Sequence, residues 1–169
     1  LRPVVIISIF LVFIFSAFEA VREKKKQLEK EEEEKKKKEA EYYARKQEAI
    51  RKLEEYSQNI QTKLIGEIGL DKRIGSFDKQ LEFFSAQVSI AKNLDKKVII
   101  HSVKSHNEII KTIKDNNFTN GGIIHAFNGS EDIAKAYIDL GFKLGIGGLI
   151  SNPNSKLPKT IKNIDSCNI

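Results

Sequence analysis

Three patterns of hydrophobic and polar positions follow one another along the chain. Residues 3–18 (PVVIISIFLVFIFSAF) hold no charge, and only Ser8 and Ser16 are polar side chains. Counting Leu1 and Ala20, the run reaches the ~17–25 apolar residues that a bilayer-spanning helix needs. A cleavable signal peptide needs small residues at −3 and −1 of the cut, yet a cut after Ala20 or Ala17 puts Phe18 or Phe15 at −3. The pattern therefore predicts an uncleaved single-pass anchor over 1–20, with the membrane as a partner through residues 3–18. Arg22, Lys24, Lys25 and Lys26 crowd the following flank, and the positive-inside rule then keeps the rest of the chain in the cytoplasm.

The second pattern is charged. Residues 19–58 contain neither Gly nor Pro, and EEEEKKKK at 31–38 pairs Glu31–Lys35, Glu32–Lys36, Glu33–Lys37 and Glu34–Lys38 at i,i+4. Each such pair adds ~0.2–0.5 kcal/mol to a helix in this Glu-first order. A coiled coil needs apolar a and d positions over several heptads, and between Val21 and Ala40 only Leu28 qualifies. Residues 21–60 thus read as a solvated helical spacer. At its end Tyr43, Ile50, Leu53, Tyr56 and Ile60 return at helical spacing, a stripe expected to pack on the domain that follows.

The third pattern, over 61–169, alternates short apolar runs with amphipathic stretches. Strands are predicted at 63–69, 97–102, 121–127 and 142–148, and helices near 77–94, 105–117 and 130–140. Near-continuous apolar strands alternating with helices indicate an α/β domain whose parallel sheet is covered by helices. No internal sequence repeat accompanies the rhythm.

Composition narrows the function classes. The chain of 169 residues has 29 Lys+Arg against 23 Asp+Glu, net +6, but the excess is spread over all three segments. A dedicated nucleic-acid arm would gather it on one stripe. The single cysteine, Cys167, excludes an internal disulfide framework, a Cys-built zinc site and a CxxC redox pair. The chain begins at Leu1 and contains no Met, which leaves processing, an unusual start codon and a fragment all open.

The polar residues at the strand ends carry the candidate chemistry. Glu67 closes Leu64-Ile65-Gly66, His101 closes Val98-Ile99-Ile100, and His125 closes Ile123-Ile124. The C-terminal edge of a parallel sheet is where sites are built in α/β folds, and two imidazoles with a carboxylate suit a divalent metal ion. His106 reads as a helix-surface residue, and Gly129-Ser130 as a turn followed by a helix N-cap.

At these residues the sequence resembles the TatD-type metal-dependent deoxyribonucleases. The matching motifs are GEIGLD (66–71), Gln80 in the helix after it, VIIHS (98–102), GGIIHAFNGS (121–130) and DLGFKLGIGGLIS (139–151). The resemblance implies a partial TIM-type (β/α) barrel, about four of eight βα units, and a metal-dependent hydrolase acting on phosphodiester bonds of DNA. It implies Glu67 as the catalytic, metal-bridging carboxylate, His101 and His125 as metal ligands, and Asp71 as a supporting aspartate. The cofactor is then a divalent ion, Mg, Mn or Zn, and the open barrel edges are expected to favour self-association.

Departures from the family pattern temper the activity. The family's opening HxH pair is missing, since the three histidines are His101, His106 and His125. Asp165 comes too early to stand for the aspartate of the family's closing ETD motif, and Val103 replaces the arginine usual after His-Ser. The expectation is a truncated hydrolase with weak or no DNA cleavage. The alternative is a membrane-anchored, non-catalytic remnant or helical spacer that binds a metal or a partner.

Overall fold

The computed structural model describes residues 3–59 and 61–169, with side chains from Phe15 onward, and its first helix, α1, is bounded by Pro3 and Ser57. Nothing in its described sequence breaks a helix, and exposed ion pairs line it. Glu32–Lys36 closes at 2.7 Å, Glu34–Lys38 at 2.6 Å and Glu41–Arg45 at 2.6 Å. Exposed pairs of this kind add only tenths of a kcal/mol each, so the uninterrupted run of good helix formers matters as much.

The membrane expectation is corrected here. Among the described residues no helix is long and apolar enough to cross a membrane, and the anchor and the membrane localisation built on it are withdrawn. From Glu19 onward α1 turns charged side chains to every side, and its larger apolar residues Val21 and Leu28 stand singly among them, 68% and 57% exposed. The apolar residues 3–14 lie outside those whose side chains are described.

The chain divides into two compact units, Leu1–Gln47 and Glu48–Ile169. The last turns of α1 go with the second unit, because Ile50 and Leu53 pack against its core and Ser57 is buried. Tyr56, on the same predicted stripe, stays 73% exposed.

That second unit is a sheet of four parallel strands in the order β1-β2-β3-β4, with β1 (Leu64–Asp71), β2 (Lys97–Val103), β3 (Gly122–Ile124) and β4 (Phe142–Leu144). Helices α2 (Phe77–Asn93), α3 (His106–Asp115) and α4 (Glu131–Asp139) make the crossovers. The α/β expectation is met, and β1 and β4 are the edges of the sheet. Ser130 caps α4 as predicted, its hydroxyl accepting from the Ile133 N–H at 3.4 Å.

The helices cover one face of the sheet. Ile65, Val98, Ile100, Ile124, Phe142 and Leu144 are buried there against Phe84, Val88, Ile109, Ile113 and Tyr137. The other face carries Leu64, Ile99, His101, Ile123 and Lys143, half-buried or exposed. Strands β3 and β4 are shorter than predicted. Ala126, at φ 44°, turns the chain just after His125, and beyond β4 a 3-10 turn forms at Gly148–Ser151.

Candidate functional site

Strand β1 carries one residue more than its partner. Ile65 pairs with Val98, but Ile68 pairs with Ile100 and Gly69 with His101, so Gly66 and Glu67 together oppose Ile99. In unbroken register Glu67 would face Ile100 and share its burial, because a one-residue slip exchanges the two faces of a strand. The extra residue is a β-bulge, a device that re-aims a side chain. Glu67 is freed from the helix-covered face, and Oε1 accepts from the Nδ1–H of His101 at 3.0 Å. Both side chains remain 41% exposed.

The glycines on either side of Glu67 make this possible. A Cβ on Gly66 would stand 2.7 Å from the Ile99 Cβ, and one on Gly69 would stand 1.9 Å from the carbonyl oxygen of His101. Gly69 also adopts φ +149°, a region open in practice to glycine alone. The spacing of the GEIG motif therefore has a packing cause.

Asp71 closes β1 and is buried, 7% exposed. Arg73 folds back on it, with Nη2–H donating to Oδ2 at 2.7 Å and Nε–H to Oδ1 at 3.0 Å. The Arg73 backbone N–H donates to Oδ1 at 2.8 Å. This guanidinium holds the Asp71 carboxyl well below its ordinary 3.8, at about 2. Asp71 Oδ2 also lies 3.9 Å from His101 Nε2, so His101 sits between two carboxylates. Gln80 of α2 clamps the turn, accepting from the Asp71 N–H at 2.8 Å and donating to the Asp71 carbonyl at 3.1 Å.

A pH dependence follows. Because the folded value of Asp71 is lowered, its contribution is complete above the ordinary carboxylate value and is lost as pH falls through about 2. Arg73→Ala should raise the Asp71 midpoint toward 3.8 in a carboxyl-carbon NMR titration. It should also flatten the fall in stability between those two pH values. An unchanged midpoint would show that Arg73 does not hold the carboxylate.

His125 lies one position past β3, and its backbone N–H donates to the Ile100 carbonyl at 2.8 Å. It is at the same end of the sheet as His101 and exposed, but its side chain is hydrogen-bonded to neither Glu67 nor His101. Among the described residues no group of three or more His, Cys, Asp or Glu is gathered as a ready metal cage. Of the four predicted residues, the structure places Glu67 and Asp71 on either side of His101, while His125 shares only their end of the sheet. Asp165 is elsewhere, accepting from the Cys167 N–H at 3.0 Å to cap a short 3-10 turn.

The expectation that His106 is a surface residue is corrected. It is half-buried at the start of α3, its ring centroid 5.7 Å from those of both Phe127 and Tyr137. Its Nδ1 lies 3.0 Å from the Ser102 hydroxyl and 3.1 Å from the Tyr137 hydroxyl, and its Nε2 lies 3.4 Å from the Asn128 carbonyl. Nearby the buried Ser105 hydroxyl donates to the Leu70 carbonyl at 2.8 Å. The sequence reading missed Arg73, Ser105 and this His106 cluster. The one usable signal was the place of Ser102 to His106 directly after a strand-end histidine.

A concavity of about 520 Å³, lined by Thr62, Lys97, Gly122 and Gly141, opens at the N-terminal ends of the strands. None of the four site residues reaches it, so the chemistry lies at the opposite end.

Comparison with known proteins agrees with this geometry. Residues 24–169 match the family model described as TatD related DNase. An uncharacterized metal-dependent hydrolase of Haemophilus influenzae is 39% identical over 93 residues, covering 52% of this chain and 36% of that protein. The uncharacterized metal-dependent hydrolase YabD of Bacillus subtilis is 30% identical over 118 residues, covering 68% and 46%. The crystal structure of YjjV, a TatD homolog from Escherichia coli K12, superposes with a TM-score of 0.65 at 29% identity, covering 70% of this chain and 48% of that one. The chain thus spans less than half the length of these relatives.

Proposed function

The chain belongs to the TatD-related DNase family, and on that premise we propose that it is a metal-dependent hydrolase acting on phosphodiester bonds of DNA. The observation that carries the reading is the contact of Glu67 with His101 at 3.0 Å at the bulge of β1. A carboxylate oxygen and an imidazole nitrogen, side by side and open to solvent, form the donor set that a divalent ion of the Mg, Mn or Zn type takes. The two facing atoms, Glu67 Oε1 and His101 Nδ1, would both hold the ion, which on binding would displace the proton they share. His125 supplies a further ligand, and Asp71, kept ionised by Arg73, orients the set.

Bound there, the ion supplies a lowered pKa for water and charge to offset that of the phosphate. The protein's own share is orientation and proton handling. Glu67 accepts a hydrogen bond from the attacking water and takes its proton. The exposed Lys104 after β2 and the Arg73 guanidinium after β1 bring positive charge to the rim where DNA phosphates arrive. The sequence contains no HxH pair, so turnover is expected to be slow.

Calorimetric titration of the full chain with Zn²⁺ or Mn²⁺ tests the reading. We expect one site, lost in His101→Ala and weakened about 10–100-fold in His125→Ala. Equal binding by the parent and both variants would make the histidines structural.

A further inference from the structure

We propose that His106 is a positioning residue that ties the loop bearing His125 to the strand end bearing His101. The inference rests on the reading above, in which His125 is a metal ligand, and it concerns what holds that ligand in place. Between β3 and α4 the chain runs through residues 125–130 with little regular structure. The Phe127 N–H donates to the Gly145 carbonyl at 2.8 Å, and Ser130 begins the cap of α4. Among the described residues, the hydrogen bond that reaches the tip between them from another element runs from His106 Nε2 to the Asn128 carbonyl at 3.4 Å.

A carbonyl only accepts, so Nε2 carries the proton. The Nδ1 lone pair then serves the hydroxyls of Ser102, at 3.0 Å, and Tyr137, at 3.1 Å. Both functions of a neutral imidazole, one donor and one acceptor, are therefore used. Burial lowers the pKa of the ring, and the faces of the slot are Phe127 and Tyr137. An apolar residue would fill that slot without reaching the loop. Ser102 follows His101 directly, and Asn128 stands three positions after His125. One side chain thus spans the gap between the two ligand-bearing segments, which Glu67 and Asp71 do not bridge.

Two substitutions separate the near contacts from the far one. The amide of H106N takes the place of Nδ1 and falls short of Asn128. The amide of H106Q reaches on toward the carbonyl. In the full chain, H106N should lower Zn²⁺ or Mn²⁺ affinity roughly tenfold, and H106Q should recover most of it. The H106N loss should vanish in the H125A background, since a tie that acts through His125 has nothing left to position. Without metal, hydrogen exchange at the Phe127 amide should be faster in H106N than in H106Q. A long-range nitrogen–proton spectrum of the parent should place the His106 proton on Nε2.

Equal metal affinity in parent and H106N, or a loss that persists in H125A, would overturn the proposal. A parent that binds no metal would remove the hydrolase reading alone. Exchange at Phe127 then decides the positioning role, and equal rates in H106N and H106Q would overturn it. If H106N does not fold, a proton found on Nδ1 in the parent would do the same.

Discussion

Gly69→Ala is expected to unmake the β1–β2 edge and with it the pairing of Glu67 and His101. The new methyl would stand 1.9 Å from the His101 carbonyl oxygen, at φ +149°. No rotamer relieves a Cβ collision with backbone, so β1 must leave its register. A side chain forced into such a backbone region costs about 1–3 kcal/mol, and the displaced ladder adds to it, for ~3–5 kcal/mol altogether. Against a typical domain stability of 5–15 kcal/mol, that removes about a fifth to all of it. Gly148→Ala is the matched control, since a Cβ there meets nothing within 4 Å. Urea denaturation followed through the buried Tyr137 ring should separate the two variants. Unfolding free energies agreeing within about 0.5 kcal/mol would show that β1 accommodates the methyl after all.

Glu67→Ala is expected to abolish chelator-sensitive cleavage of single-stranded DNA. In the proposed mechanism Glu67 accepts the water's proton, helps to hold the ion and anchors His101 at 3.0 Å, three tasks lost together. Removing a general base alone typically costs 10²–10⁴-fold. Glu67→Gln keeps the size and a carbonyl acceptor for the His101 Nδ1–H but loses the charge. It should preserve the ring orientation of His101 while losing cleavage nearly as far. Long incubations with Mn²⁺ or Mg²⁺, with chelator added to parallel samples, give the comparison. Equal cleavage by parent and Glu67→Ala would assign the activity to another centre or a contaminant.

The strand and helix rhythm from Leu64 onward was legible in the sequence because burial is one-sided and regular. Val98 and Ile100 face helices, while Ile99 and His101 face away, an alternation that leaves a clear mark. The strand-end placement held for Asp71, which closes β1, and His125, which follows β3, whereas Glu67 and His101 lie within strands that run on to Asp71 and Val103. The bulge at Gly66-Glu67 was not legible, because an inserted residue changes register without changing composition. Two glycines flanking Glu67 are its trace, and their meaning depends on the neighbouring strand. His106 was misplaced because it is the first residue of α3, where helical periodicity gives the least guidance. Its burial comes from Tyr137 and Phe127, residues far along the chain. The anchor prediction weighed the hydropathy of residues 3–18 with their cut positions and basic flank, and among the described residues no helix is long and apolar enough to cross a membrane.

The spatial order of the strands repeats their order along the chain, and that bears on how the domain is made. During synthesis each strand meets its lasting neighbour already present, for β2 needs only β1, β3 only β2, and β4 only β3. Successive strands begin about 20–33 residues apart, which at ribosomal speeds of ~5–20 residues per second means intervals on the order of seconds. Parallel pairing is slow by folding standards, in the range of milliseconds to seconds, yet it fits within those intervals. The domain can therefore be assembled one crossover at a time. A half-made chain then grows at one edge only, on the side where its next strand is about to emerge, while the other edge is always β1.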